Sequence, residues 1–455
     1  MTDGSPRHEV SFRDAVRVWG YVGVNTFGGP AGQIAVMHRE LVQRRRWLSE
    51  KRFLHALNYC MVLPGPEAQQ LATYVGWLMH GVPGGTVAGG LFVLPGFVAM
   101  MALSIAYALY GQVTWVSGLL FGLQAAVVAI VVDAVVRIGR RTLRGPVLRV
   151  VAALSFLAIF LLGVPFPVIV VAAGVVGWLV GRNRPEWFVS RAGGGGSRDV
   201  DEEPTLLSDD ERVPPTLARR ALRAAAVCLV LWLVPVLVLW LALGTESIFT
   251  QEALLFSKTA LVTFGGAYAV LGYVAQQAVG RYGWITPNEM ITGLGLAETT
   301  PGPLVMVLQF VGFLAAYHHP GSLPPLLAGV LGAVLTVWVT FVPCFLFIFL
   351  GAPWVERLRD NRAVGHALTA VSAAVAGVVL NLAVFFALHT MFGTVDSRAY
   401  GPMTVPVPEW GTVQWASVGI SAMAAVLVLG LRWGTLRVLA VAAALGAVLT
   451  VAGLT

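Results

Sequence analysis

The positions of this chain best placed to do chemistry are breaks in apolar sequence. TFGG occurs at 26–29 and again at 263–266, and a Pro-Gly-Pro triplet occurs at 64–66 and at 301–303. The two copies of each motif stand 237 residues apart. A Gly/Pro break in a membrane helix frees backbone groups that hydrocarbon cannot satisfy, so it persists only when buried in protein or lining a watered cavity. Half-helices beginning after Gly29, Gly65, Gly266 and Gly302 would present unpaired N–H groups and positive dipole ends, a local means of holding an anion. Pro30, Pro66 and Pro303 suit a first helical turn, where no N–H is lost. Packing is the competing reading, since glycine lets helices approach and proline kinks them. Recurrence of both motifs in one register favours the anion.

Nearby side chains add donors. These are Asn25, Thr26, Gln33, Gln69, Gln70 and Thr73 in the first copy, and Thr263, Thr299, Thr300 and Gln309 in the second. Amides and hydroxyls can coordinate a tetrahedral dianion while leaving it able to depart. With Gly28, Gly29, Pro64, Gly65, Gly265, Gly266 and Gly302, all of them except Gln69 and Thr73 form the candidate substrate site. Thr299 and Thr300 equally suit N-caps of the next half-helix. Glu67 and Glu298 flank the two triplets at non-equivalent positions, and an intramembrane carboxylate is a functional candidate, here for proton coupling. For Glu67 the alternative is contact with its own helix N-terminus. Asp133 and Asn381 share a repeat position, and Asp133 equally suits a pair with Arg137 one turn on.

The elements that position these residues follow from composition. Of 455 residues 57% are hydrophobic and 12% charged, against about 25% charged in soluble chains. Stretches able to cross about 30 Å of hydrocarbon recur at roughly 84–110, 113–136, 147–163, 165–181, 221–243, 321–350, 364–392, 412–431 and 434–454. A soluble fold is excluded. The N-terminus lacks a continuous apolar h-region, so no cleaved signal peptide is expected. Cys60, Cys228 and Cys344 are isolated in apolar segments and read as packing residues, so no metal or cofactor is expected. The net charge of +7 reads as cytoplasmic loop anchors rather than a nucleic-acid surface.

The register of 237 changes to 248 beyond the insertion YHHPGSLPPLL, matching Pro95 with Pro343 and Ala125 with Ala373. Residues 12–136 thus repeat as 255–384. The organisation expected is a first repeat at 1–181, a polar cytoplasmic linker at 182–220, a connecting helix at 221–243 and a second repeat at 250–455. The unpaired helix inverts the second copy, a common transporter architecture. If 12–36 and 53–80 crossed the bilayer, His38, Arg39, Arg44, Arg45, Arg46, Lys51 and Arg52 would lie outside, against the positive-inside rule. Re-entrant hairpins keep them inside. The fold class expected is therefore an all-α integral membrane protein: an inverted-topology repeat with two re-entrant helical hairpins per copy, nine full spans and a cytoplasmic N-terminus. Thirteen spans result if every apolar segment crosses. HRELVQRRRWLSEKRF reads as an interfacial amphipathic helix, and His80, His318 and His319 as loop residues.

These residues resemble the chromate ion transporter family in its long form with two homologous halves. The resemblance rests on FGGPAGQIAVMHRELVQRRRWLSEKRFLHALNYCMVLPGPEAQQLATYVGW and TFGGAYAVLGYVAQQAVGRYGWITPNEMITGLGLAETTPGPLVMVLQFVGF. AAVVAIVVDAVVRIGRR and AAVAGVVLNLAVFFAL are weaker companions. It implies chromate efflux through a bacterial-type cytoplasmic (inner) membrane, and chromate resistance, driven by the proton gradient or the membrane potential. Sulfate, a similar dianion, is a second substrate to consider, and the partners implied are these anions, lipid and a second copy in a homodimer. Ala267 stands where the first copy has Pro30, and Leu304 where it has Glu67, so the halves are expected to contribute different ligands. A sulfate importer, exchanger or channel is the alternative within transport. A chromate-reducing enzyme would need a flavin, haem or metal site, for which the sequence offers no fingerprint.

Overall fold

The computed structural model describes residues 10–183, 215–264, 266–352, 362–401 and 403–454. The first copy begins with α1 (Phe12–Asn25), whose Ser11 N-cap accepts from Asp14 N–H and whose Ala15, Val18, Trp19 and Val22 form one buried stripe. It continues with α2 (Gly29–His38), α3 (Glu50–Cys60), α4 (Glu67–Tyr110), α5 (Thr114–Thr142), α6 (Pro146–Leu162) and α7 (Phe166–Asn183). A connecting helix, α8 (Pro215–Leu243), precedes the second copy. That copy comprises α9 (Ile248–Val262), α10 (Ala267–Val274), α11 (Pro287–Thr299), α12 (Val307–His318), α13 (Pro325–Gly351), α14 (Arg362–Met391), α15 (Trp415–Ala425) and α16 (Thr435–Val451).

The repeat is visible in local detail. Both α2 and α10 run on into π-helical turns, Arg39–Arg44 and Ala275–Arg281. Each ends with a tryptophan N–H returning to a carbonyl, Trp47 to Leu41 and Trp284 to Ala278, both at 2.8 Å. Ser49 caps α3 and Thr286 caps α11, again 237 residues apart. The interfacial helix expected over HRELVQRRRWLSEKRF is instead two pieces. Arg46 turns to φ 54°, so that Trp47 can make its bond before α3 begins.

α4 is a hairpin rather than one rod. His80 and Gly81 leave the helical region (Gly81 φ 64°, ψ −153°), and the two limbs then run so close that a Cβ on Gly84 would stand 2.2 Å from the Gly76 carbonyl oxygen. Small residues permit that approach. α12 and α13 pair in the same way through Gly312 and Gly332.

The nine stretches expected to span are all helical: 82–110 of α4, then α5, α6, α7, α8, α13, α14, α15 with the turn Val426–Gly430, and α16. Among the described residues five helices, α4, α5, α8, α13 and α14, are long and apolar enough to cross a membrane. α8 exposes Val227, Val230, Leu233, Val234, Leu237 and Leu241, an apolar surface suited to hydrocarbon. The protein is an all-α multi-pass membrane protein, with one addition the sequence did not announce. An antiparallel hairpin, β1 (Val395–Tyr400) and β2 (Met403–Pro408), joins α14 to α15.

Candidate functional site

The breaks meet in pairs, each pair drawn from both copies. Gly65 N–H donates to the Thr263 carbonyl at 2.8 Å, and Gly302 N–H donates to the Thr26 carbonyl at 2.9 Å. Gly65 corresponds to Gly302 and Thr26 to Thr263, so one contact is made twice, as at an isologous interface. The packing behind is reciprocal too. A Cβ on Gly302 would lie 3.3 Å from Gly96 Cα, and one on Gly65 would lie 3.0 Å from Sγ of Cys344, the residue in register with Gly96. Gly29, Gly65, Gly266 and Gly302 have φ of 73°, 130°, 106° and 87°, backbone that side chains rarely tolerate.

Two amides expected to be unpaired are therefore paired. A buried N–H finds a partner, and here the partner is a carbonyl freed by the other copy's break. The N–H groups that helix geometry leaves over at the breaks are those of the first turns, Gly29, Ala31 and Gly32 in α2, Glu67, Ala68 and Gln69 in α4 and Ala267, Tyr268 and Ala269 in α10.

The candidate side chains sit at these breaks, and their observed bonds run to protein. Gln33 Nε2 donates to the Gly302 carbonyl at 2.5 Å, Gln70 to Pro64 at 2.7 Å and Gln309 to Phe97 at 3.0 Å. Gln69 bonds the Thr73 hydroxyl at 3.0 Å. Each amide keeps one further N–H. The hydroxyls of Thr26, Thr263, Thr299 and Thr300 donate to carbonyls of the helix before them, Gly23, Thr259, Leu296 and Ala297. Thr299 and Thr300 thus close α11 and do not cap the N-terminus of the next helix. Asn25 bonds the Tyr21 carbonyl from an exposed position. Gly28, φ 81°, is the N-cap of α2. Gly265 lies outside the described residues.

Among the charged groups, Glu298 is 3% exposed and accepts from the Tyr268 hydroxyl at 2.5 Å. Glu67 is the first residue of α4 and half-buried. Asp133 pairs with Arg137, the alternative the spacing left open. Arg137 lies within electrostatic reach of Glu298 and Tyr268, and Arg141 within reach of Glu67. Arg141 also contacts Met61 Sδ at 3.5 Å, just before the first triplet. Two arginines one turn apart on α5 therefore overlook the two triplets. The sequence offered Arg137 only as a partner for Asp133 or a loop anchor, and did not mark Tyr268, whose counterpart is Ala31.

A cleft of about 640 Å³ opens elsewhere, between the α8–α9 and α12–α13 turns, lined by Glu246, Tyr282, Trp284 and His319 among others. It shares no residue with the breaks.

Comparison with known proteins agrees with this repeat. The family described as chromate transporter matches residues 13–178 and 250–449, leaving out the linker and all of α8. The chromate transport protein of Pseudomonas aeruginosa is 34% identical over 367 residues, 78% of this chain and 76% of the relative. The chromate transport protein of Cupriavidus metallidurans is 26% identical over 382 residues, 84% of each chain. No solved structure matches. With both halves of the duplicated unit matched over most of its length, the chain belongs to the chromate transporter family.

Proposed function

We propose that the protein exports chromate from the cytoplasm across the inner membrane, conferring chromate resistance, and holds the anion where the first turns of α4 and α10 face the joined breaks. Transport rather than catalysis is the activity. The observation that carries this reading is the reciprocal bonding of Gly65 to Thr263 and Gly302 to Thr26. It fixes two helix starts, with their free N–H groups, against one another at the junction of the copies. Glu67 and Glu298 stand at that junction as proton carriers, and membrane potential alone would also drive a dianion outward.

Helix ends support an inverted repeat with re-entrant hairpins. His80, closing the first limb of α4, bonds the Val10 carbonyl beside the start of α1 at 2.8 Å, so the chain leaves on the side it entered. His318 at the end of α12 bonds the Trp284 carbonyl in the α10–α11 turn at 3.1 Å. Counting spans from His80, the α6–α7 turn falls on the opposite face, and Gln276 donates to its Gly163 carbonyl at 2.9 Å. This supports hairpins of the second copy entering from that opposite face. The face of His80 carries the basic turn at 39–52 and arginines at 137–149 and 219–223, whereas Arg281 and Arg398 fall on the other. Positive-inside bias makes the first face cytoplasmic.

An asymmetry of charge between the two mouths supports export. In register, Arg137 and Arg141 correspond to Phe385 and His389. A dianion is drawn toward the arginine-bearing, cytoplasmic mouth, and leaves through one with less positive charge. The test is purified protein in vesicles with labelled chromate. Saturable chromate movement that a proton gradient accelerates is the expected result. Sulfate movement in preference to chromate, or non-saturable flux, would replace this reading with the oxyanion importer or channel.

A further inference from the structure

A buried carboxyl outside the candidate site has no visible role in packing. Glu252, one turn into α9, is 0% exposed, and neither of its oxygens has a hydrogen-bond partner. It lies where α12 crosses α13, with Oε2 3.0 Å from the position of a Cβ on Gly332. At the same crossing Thr336 Oγ1 stands 2.1 Å from the position of a Cβ on Gly312, and that hydroxyl too is buried and unpartnered. One turn on, Thr340 Oγ1 is buried and unpartnered. The next turn brings Cys344, which packs on Gly65 of the first Pro-Gly-Pro break. Thr336, Thr340 and Cys344 form one i, i+4 ridge, so unsatisfied polar groups run from Glu252 to Thr340, and the Cys344 thiol, which donates to the Thr340 carbonyl at 3.2 Å, carries the ridge on to the break.

The first copy lacks this line. In register, Glu252 corresponds to Ala15, Thr336 to Ala88 and Thr340 to Phe92. An unpaired carboxyl and two unmet hydroxyls are costly to bury, so their presence in one copy alone points to a use that packing does not supply. Among the described residues no charge lies within electrostatic reach of Glu252. From α13 the titratable group on the facing ridge is Cys344. From α12 it is His318, held by Glu289 at 3.5 Å and by the Trp284 carbonyl. From α8 the arginines Arg219, Arg220 and Arg223 sit at the far end from Leu239, whose carbonyl receives Thr250. α10 offers Tyr268 and Tyr273, and on α9 itself Lys258 is exposed.

We propose that Glu252 is the proton-binding residue of the outward half. It takes one proton from the outer face and passes it along the Thr336–Thr340 ridge to the breaks, and that proton continues inward as the dianion leaves. This rests on the chromate export proposed above, and it names the residue and route by which a proton enters. A proton is moved and no bond to carbon or chromium changes.

The test uses full-length protein in vesicles, with two readouts: chromate-for-chromate exchange at equal pH, and chromate flux under an imposed pH gradient with an entrapped pH dye. Glu252→Gln should keep exchange within about twofold and lose gradient stimulation and coupled proton movement by about tenfold or more. Thr340→Val should reduce the coupled signal in the same direction, and supplies the answer if Glu252→Gln does not fold. Glu252→Gln or Thr340→Val with gradient stimulation equal to wild type overturns the proposal. A wild type that exchanges chromate without moving protons overturns it while leaving chromate transport intact. A wild type that moves no chromate overturns both.

Discussion

Replacing Gly65 by alanine tests the junction most sharply. The new Cβ would stand 2.6 Å from Gln70 Nε2 and 3.0 Å from Cys344 Sγ. Gln70 must swing away and give up its 2.7 Å bond to the Pro64 carbonyl, about 0.5–1.5 kcal/mol. The backbone at φ 130° adds strain of about 1–3 kcal/mol for any side chain. The sum is about 1.5–4.5 kcal/mol, so the equilibrium constant for forming the junction should fall at least ~10-fold. Gly90→Ala is the control, since nothing lies within 4 Å of its Cβ. Chromate exchange in vesicles and thermal unfolding in detergent should both drop for Gly65→Ala and stay level for Gly90→Ala. In a Gln70→Ala background, where the bond to Pro64 is already lost, Gly65→Ala should cost only the φ strain and the Cys344 contact, less than it costs in wild type. If Gly65→Ala exchanges and melts like wild type, the junction does not have the role given to it.

Other perturbations separate further parts of the account. Gln33→Leu removes the 2.5 Å donor to the Gly302 carbonyl and leaves that acceptor unmet, which should destabilise by about 1–3 kcal/mol, read as a lower melting temperature. Arg141→Gln should raise KM for chromate several-fold with a smaller change in maximal rate, and should flatten the salt dependence of uptake, because a mouth charge steers the anion without holding it. Tyr268→Phe removes the 2.5 Å donor to Glu298, a bond to a carboxyl worth about 1.5–3 kcal/mol, and should alter the pH profile of transport where Tyr317→Phe does not. Gly122→Leu should abolish folding, since its Cβ alone would lie 2.0 Å from the Ala442 carbonyl oxygen, where α5 meets α16.

Much of the architecture could be read from the residues because glycine and proline were retained where the backbone needs them. Gly29, Gly65, Gly266 and Gly302 take φ values that other residues resist, so TFGG and Pro-Gly-Pro persist in both copies and mark the breaks. Which groups the breaks face was not legible. Gly65 bonds Thr263 across nearly two hundred residues of chain, and no local pattern announces such a partner. Gln33 and Gln70 each satisfy a carbonyl, and residue type alone does not announce that bond. The interfacial helix failed at Arg46, where a bond from Trp47 to Leu41 outweighed helical periodicity. The β1–β2 hairpin escaped because its strands are short, largely exposed and carry Pro406 and Pro408, which weaken a strand signal. Glu252 was visible in one respect only: a carboxylate in register with Ala15.

The central claim, that the paired breaks hold the transported anion, is tested most directly by locating chromium in the protein through its anomalous scattering after chromate is added. The account predicts a peak within hydrogen-bond distance of backbone N–H groups at 67–69 or 267–269, lost in Gly65→Ala. A peak confined to the cleft lined by Tyr282, Trp284 and His319, or one at the breaks that survives Gly65→Ala unchanged, would contradict it.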